Sequence, residues 1–596
     1  MTTDTTFYQG LPSPEEIEAL ANAYFPEFDE AICAQGIENL VEHGDTSIIQ
    51  TAAQKAEANL QKYESANGVG GYSVPADTFG AGGYSAPADT FGAGGYSASA
   101  DTFSADNYSA SDAFGTDSYG LQESDYLKVL DEYTGWGNEA VQEANVITST
   151  ENQNTAQTGY APVVVSQQAA AQSNEIHVQT NSQPEKQNNS GIIVGSKTLE
   201  QIRNDFPILS EKINGHNLVW LDNGATTQRP KAVIDRLTYY YEHENSNVHR
   251  GAHELAARST DAYEAARQTV ADFIGAPSKD DIVFVRGTTE AINLVAHAYV
   301  KQYLNPGDEI IVTLLEHHAN IVPWQLIAQE TGAVIKVVPV DETGQIILSE
   351  YEKLFTKRTK FVSATHVSNA LGTITPVQEL IAIAHRHGVR ILIDGAQSVA
   401  HIPVNVSALD ADFFVFSGHK IFAPTGIGVV YGKKELLEAA KPYHGGGNMI
   451  ADVTFERTIY NPAPNKFEAG TGSIADAVGL GAALEYLNSI GMPAINKYEH
   501  ELLQYAMKEM SKIKGLHLIG TASQKASVLS FVLDGVSNEQ VGAHLNNFGI
   551  AVRAGHHCAQ PILRSLGLEG TVRPTLALYN SPEDIDALVR AIRTLA

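Results

Sequence analysis

The chain has 596 residues, room for roughly three or four domain-sized units. Its formal net charge is −30, unevenly spread: residues 1–195 carry 27 acidic residues against four lysines and no arginine, a formal charge of −23, which leaves −7 on the other 401 residues. So acidic a first third would repel nucleic-acid phosphate and suits a basic partner surface, and two cysteines, Cys33 and Cys558, imply no disulfide framework.

The first residues, Met1 to Thr5, have neither the basic nor the apolar stretch of a secretory signal. No apolar run approaches the roughly 18 residues of a membrane span. The expected setting is soluble and cytoplasmic, with no nucleic acid and no membrane. Ser13-Pro14-Glu15-Glu16 predicts a helix start, with a cap candidate, proline in the first turn and acids at the positive end. Ile17, Leu20, Ala21 and Tyr24 follow at helical spacing, and a second helix is predicted over 46–63.

From Gly70 a twelve-residue unit recurs, with Tyr72, Tyr84, Tyr96 and Tyr108 at one position and Phe79, Phe91 and Phe103 at another. A unit this short and this rich in Gly, Ser and Ala cannot bury a core, so disorder is predicted. The aromatics suit either an inert spacer or a multivalent segment docking on repeated partner sites. Residues 121–136 form one more amphipathic patch, and 145–195 read as a Gln/Asn/Ser/Thr-rich linker.

The folded part is predicted to begin near Leu199. Strand-like apolar runs at 281–285, 309–315, 334–340, 360–365, 390–394 and 412–416 alternate with helical patterns at 289–304, 321–331, 349–355 and 377–387. Such alternation predicts an α/β fold, a mostly parallel sheet with helices on both faces and ligands at the carboxyl ends of its strands. After Gly432 the pattern loosens. From about Ile495 a smaller α+β unit is predicted, with strands at 527–533 and 550–553 and a last helix at 582–595.

The strand ends carry the chemistry. The apolar run 413–416 stops at Ser417-Gly418-His419-Lys420. A lysine presented there suits imine chemistry on a phosphorylated aldehyde cofactor, although taken alone a solvent-facing loop lysine is as good a reading. Arg286-Gly287-Thr288-Thr289 opens a helix and offers N–H and hydroxyl groups to a phosphate, as capping threonines often do without any ligand. Glu316-His317-His318-Ala319-Asn320 follows another strand. Adjacent histidines rarely share an ion, and no partner sits at ligand spacing, so no metal is expected; an imidazole lying flat on an aromatic cofactor fits better. Asp394 ends a very apolar strand and is costly to bury unpaired. A pyridinium N–H would pair it, as would the turn that follows. Cys558 stands behind His556 and His557 and close to Arg553, a setting that favours thiolate, although a spectator thiol is equally consistent. Arg573 could clamp a carboxylate bidentately.

Taken together, Ser-Gly-His-Lys at 417–420, Asp-Gly-Ala-Gln at 394–397, Glu-His-His-Ala-Asn at 316–320, Thr-His-Val-Ser-Asn at 365–369 and Arg-Ala-Gly-His-His-Cys at 553–558 resemble a SufS-type (group II) cysteine desulfurase. That family belongs to the class V aminotransferase-like, fold-type I enzymes that use pyridoxal 5'-phosphate. The resemblance covers about residues 199–596 and implies a large cofactor domain over about 215–490, and a small domain from about 495 joined by the start of the enzyme region.

Carried over by motif, Lys420 would hold the cofactor as an aldimine, Asp394 would pair with the pyridine nitrogen, Gln397 with the ring hydroxyl, and His317 would stack on the ring and assist proton transfer. Thr288, Thr289, Ser417 and His419 would hold the phosphate, with Thr471 reaching a partner subunit's site. Asn369 and Arg573 would hold the substrate carboxylate, with Arg553 close by. L-cysteine would displace Lys420, Lys420 would remove the α-proton, and Cys558 would take the sulfur as a persulfide, leaving alanine. The persulfide would pass to an acceptor protein or small thiol, the sulfur going to iron–sulfur cluster assembly, to another thiol pathway or to stored elemental sulfur.

The family's Glu-Ala-Gly-Thr-Pro stands here as Glu468-Ala469-Gly470-Thr471-Gly472, and Pro574 after Arg573 is unusual. A homodimer is implied. The long acidic extension is similar in layout to those that load some desulfurases into encapsulin shells, which would place the enzyme inside a nanocompartment. Two alternatives stay open: a selenocysteine lyase or other class V enzyme on the same fold, and a non-catalytic interaction protein. Intact Lys420, Asp394, His317 and Cys558 argue against the second.

Overall fold

The computed structural model describes residues 191–249 and 252–595. The early helices, the twelve-residue repeats, Cys33, the 121–136 patch and most of the linker lie outside the described residues. A seven-stranded sheet forms the centre. Its strands are β1 (Ile282–Val285), β2 (Glu309–Thr313), β3 (Val334–Val338), β4 (Thr359–Thr365), β5 (Arg390–Asp394), β6 (Phe413–Ser417) and β7 (Gly428–Gly432). Their spatial order is β1-β7-β6-β5-β4-β2-β3. The β6–β5, β5–β4, β4–β2 and β2–β3 pairs are parallel; only β7 runs against its neighbours β6 and β1.

Strands β1, β5, β6 and β7 read as nearly continuous apolar runs because both their faces are covered, whereas the edge strand β3 is only partly buried. Side chains alternate between two cores: Phe414 and Phe416 point into one, Phe413 and Val415 into the other, and Ile391 and Ile393 divide from Leu392 in the same way. On one face, helices α1 (Lys231–His243) and α2 (Glu254–Phe273) pack on a third that lies much later in the chain, Ile474–Ile490. The remaining crossovers include α3 (Thr288–Leu294), α4 (Val322–Thr331) and α5 (Val377–Arg386); the 474–490 helix is α6, followed by α7 (Met492–Met510). No helix among the described residues is long and apolar enough to cross a membrane.

A second sheet is antiparallel. Strands β8 (Leu516–Leu518), β9 (Phe531–Leu533), β10 (Arg553–Gly555) and β11 (Thr571–Arg573) lie in the order β8-β9-β11-β10. Helices α8 (Asn538–Asn547), α9 (Gln560–Ser565) and α10 (Pro582–Arg593) complete it. Capping boxes start α8 (Ser537 with Gln540) and α10 (Ser581 with Asp584), each satisfying N–H groups that a helix start leaves open.

Two expected strands come out differently. The run 527–533 forms regular ladder only at Phe531–Leu533. Opposite its first half stands Pro574, which has no N–H to give: Leu529 donates to the Pro574 carbonyl at 2.9 Å, and Val528 makes only an isolated bridge to Thr575. The run 550–553 changes sheets at Val552. Ile550–Ala551 pairs with Val219–Trp220, and Arg553 onward joins β11.

Candidate active site

The carboxyl ends of the parallel strands open into one cavity of about 250 Å³, the place such sheets offer to ligands. Thr288, Thr289, His317, Asn369, Asp394, Gln397, Ser417, His419, Lys420, Arg553, Cys558 and Arg573 all line it. They come in groups from a few strand ends and the turns after them: Thr288 and Thr289 after β1, His317 after β2, Asn369 after β4, Asp394 and Gln397 at β5, Ser417, His419 and Lys420 at β6, Arg553 and Cys558 from β10 and the loop after it, and Arg573 at the end of β11. Thr471 is exposed and is not among the lining residues. Two residues that no sequence motif pointed to, Gly224 and Ala225, also line the wall, as do Thr365 and His557, to which the motifs assign no site role of their own. The turn Asn223-Gly224-Ala225-Thr226-Thr227 follows a short strand, and its glycine and two threonines were the available signal.

At one end lie the hydroxyls. Thr288 donates its N–H to the Ser417 hydroxyl at 2.8 Å, and the two hydroxyls meet at 2.8 Å. Strands β1 and β7 come close enough here that a Cβ on Gly428 would lie 2.4 Å from the Gly287 Cα. That close approach requires glycine and brings the Thr288 turn onto Ser417. His419 has its pKa pushed down to about 4 by burial, helped by the Lys420 and Arg229 charges. Its ring is neutral at physiological pH.

In the middle stand Lys420 and Asp394. Burial pulls the Lys420 amine down to about 8, against the Asp394 charge, which raises it; Arg573 lowers it further. Asp394 is 4% exposed, and burial pushes its carboxyl up, opposed by the Ala396 N–H at 2.9 Å and by Lys420. Gln397 donates to the Gly224 carbonyl at 2.7 Å, which fixes the direction of its amide. His317 accepts the Ala319 N–H on Nδ1 at 3.0 Å, so its proton sits on Nε2. Burial, then the charges of Lys420 and Arg573, take it down to about 3.

Below His317, Glu316 is buried and accepts from the Thr313 hydroxyl (2.5 Å), the Asn320 amide (2.6 Å) and the Thr365 N–H (2.9 Å). Burial pushes that carboxyl up to about 8.

At the far end lies a buried cation. Arg573 is 3% exposed; its Nη1 donates to the Asn369 carbonyl at 2.9 Å and Nη2 stands 3.6 Å from Asp222. Its Nε–H and the Asn369 Oδ1 are buried without a protein partner. Burial lowers the guanidinium to about 10. Arg553 is committed elsewhere, to Asp222 at 2.8 Å from Nη2 and 3.2 Å from Nε.

Cys558 is exposed at the cavity wall. His557 and Cys558 both adopt left-handed backbone, φ 53° and 54°, at a cost of about 1–2 kcal/mol each for residues with a Cβ. The surroundings hold them there. Asn369 donates to the His557 carbonyl at 2.7 Å, the His318 N–H donates to the Cys558 carbonyl at 2.7 Å, and the His557 ring meets the Thr571 hydroxyl at 2.8 Å.

The aminotransferase class-V family model matches residues 219–588. A relative from Synechococcus elongatus named cysteine desulfurase is 66% identical over 397 residues, covering 67% of this chain and 63% of that protein. A probable cysteine desulfurase from Vibrio cholerae is 47% identical over 394 residues, covering 66% of this chain and 97% of that one. Among solved structures, the cysteine desulfurase CsdA (S-sulfonic acid) from Escherichia coli superposes with a TM-score of 0.63 at 41% identity, over 67% of this chain and 98% of its own. The chain spans 58 to 65% of the length of three of the curated relatives it matches. Motifs, fold and relatives agree: the chain belongs to the class-V aminotransferase family, beside relatives named cysteine desulfurases.

Proposed function

We propose that this chain is a pyridoxal-phosphate-dependent cysteine desulfurase of the SufS type, converting L-cysteine to L-alanine and holding the sulfur as a persulfide on Cys558. The observation that carries the reading is that a lysine, a carboxylate, an anion clamp and an exposed thiol face one cavity: Lys420, Asp394, Arg573 and Cys558.

The donor set fits the cofactor. Lys420 would hold its aldehyde, Asp394 its ring nitrogen, Gln397 its ring hydroxyl and His317 its ring face. Thr288, Thr289, Ser417 and His419 would hold its phosphate, and Thr471 would serve the cavity of a second subunit in a homodimer. When bound, the cofactor supplies an electron sink for bonds at the amino-acid α-carbon.

The chain's own residues do the rest. Arg573 has an unpartnered buried N–H and a delocalised charge, and with Asn369 it binds the substrate carboxylate. Neutral Lys420 takes the α-proton on Nζ, and the lowered pKa of about 8 makes that form accessible. The Cys558 thiolate attacks the substrate sulfur: a sulfur–sulfur bond forms as the substrate's carbon–sulfur bond breaks. The electron pair stays with the substrate carbon, which takes up a proton, and alanine leaves. The left-handed turn at 557–558 presents the thiol, and later the persulfide, to an acceptor protein or small thiol.

We read residues 199–596 as the catalytic part, divided into large and small domains near 490–495, and residues 1–195 as an acidic extension that loads a cytoplasmic encapsulin shell. Deleting 1–195 should abolish co-purification with the shell; undiminished co-purification sinks that part. For the activity, the purified chain with pyridoxal phosphate and L-cysteine should release alanine and reducible sulfur in equal amounts. No alanine from a cofactor-loaded protein overturns the reading.

A further inference from the structure

The two adjacent histidines after β2 do different things. His317 faces the cavity. His318, one residue on, faces the loop that carries Cys558, and three contacts join them. Its backbone N–H donates to the Cys558 carbonyl at 2.7 Å. Its Nε2 accepts the Gln560 N–H at 3.4 Å, at the start of α9. Its ring stacks on His556, centroids 5.8 Å apart and planes 28° from parallel. His556 in turn accepts the Cys558 N–H on Nδ1 at 3.0 Å. The loop is therefore gripped before, at and after the cysteine, and both rings act as acceptors, which only unprotonated nitrogens can do.

We propose that His318 is a positioning residue for sulfur transfer: it holds the Cys558 loop at a fixed distance from the centre that His317 faces. The proposal rests on the desulfurase reading. A single turn carries both histidines, His318–Asn320 being one turn of 3-10 helix with His317 at its start. The backbone segment that sets the His317 ring thus also sets where the thiol stands. Two left-handed residues make the loop costly to hold, and the His318 grip is one of the contacts that offset the cost. Burial and the neighbouring His556 push the His318 ring below its ordinary pKa, consistent with a neutral acceptor.

The ring's contribution separates from that of Lys420 and His317. Proton exchange at the α-carbon of L-alanine in heavy water needs the cofactor side alone, whereas sulfur release from L-cysteine needs Cys558 as well. In the full-length holoenzyme, His318→Ala should slow sulfur release by about tenfold with little change in KM, because small misplacements of a reacting group are costly. Alanine α-proton exchange should stay at the parent rate. Amide hydrogen exchange over 556–560 should quicken, and His318→Gln, which keeps an acceptor, should recover most of the loss.

Unchanged amide exchange and unchanged sulfur release in His318→Ala overturn the proposal. So does an equal fall in alanine exchange and sulfur release, since the ring would then be acting on the cofactor side. Should the parent release no sulfur at all, the desulfurase reading fails, and the amide exchange of 556–560 still decides whether His318 grips the loop.

Discussion

Asn369 reaches across from the turn after β4 and donates its side-chain amide to the carbonyl of His557 at 2.7 Å. That bond ties the parallel sheet to the loop of the thiol. The Asn369 main-chain carbonyl accepts from Arg573 at 2.9 Å, so one residue joins the anion clamp, the sulfur-carrying loop and the sheet. Asn369→Ala keeps the main-chain bond to Arg573 but loses the side-chain bond to His557, and should lower kcat/KM for L-cysteine by about 10- to 100-fold, chiefly through a misplaced thiol. Steady-state kinetics of the variant check this; a change in neither KM nor kcat contradicts it.

Arg573→Lys keeps a positive charge but loses the planar fork. The variant should raise KM for L-cysteine by about 30-fold or more, with a smaller effect on kcat. The visible absorbance of the bound cofactor should persist, which separates substrate binding from cofactor loss.

The Lys420 amine should capture pyridoxal phosphate in a pH-dependent way. Only the neutral amine attacks an aldehyde, and burial brings this amine down to about 8. The capture rate of cofactor-free protein should thus climb with pH up to about 8 and level off above it. Stopped-flow absorbance measures it; a climb continuing to the ordinary lysine range near 10.5 would contradict the lowered value.

Lys525 offers a stability test away from the reacting groups. It is 6% exposed, donates to the Leu371 carbonyl, and burial lowers it from 10.5 to about 7. The folded chain then binds fewer protons than the unfolded chain between about pH 7 and 10.5, so this residue's contribution to stability rises with pH across that window. Lys525→Met should have its most favourable unfolding free energy relative to the parent near pH 7. That advantage should shrink as pH is raised toward 10. Denaturant melts at both pH values check the sign.

Much of the fold was legible because the central strands are buried on both faces. Runs such as 413–416 and 391–393 are apolar without interruption, and each breaks into polar residues where the strand ends. The site residues sit at those breaks, so Lys420, Asp394 and His317 announce themselves by position as well as by type. Helix α6 was not legible. Twelve of its 17 residues are buried, because it lies between α1, α2 and the rest of the core, so it shows no polar face and no helical period. The partners of the site residues were hidden for another reason. Asp222 holds Arg553 from 331 positions away, and the Gly224 carbonyl takes the Gln397 amide from 173. Neither residue belongs to a motif, and only the closed fold brings them together. The grip of His318 on the Cys558 loop is of the same kind.

The central claim is that sulfur leaves cysteine onto Cys558. Its most direct test is a single turnover with L-cysteine, followed by mass spectrometry of the peptide containing residue 558 and by alanine measurement. A persulfide on Cys558 should appear in step with one equivalent of alanine, and Cys558→Ala, still loaded with cofactor, should form neither sulfur nor alanine at a comparable rate. Alanine and reducible sulfur released by Cys558→Ala at the parent rate would contradict the account.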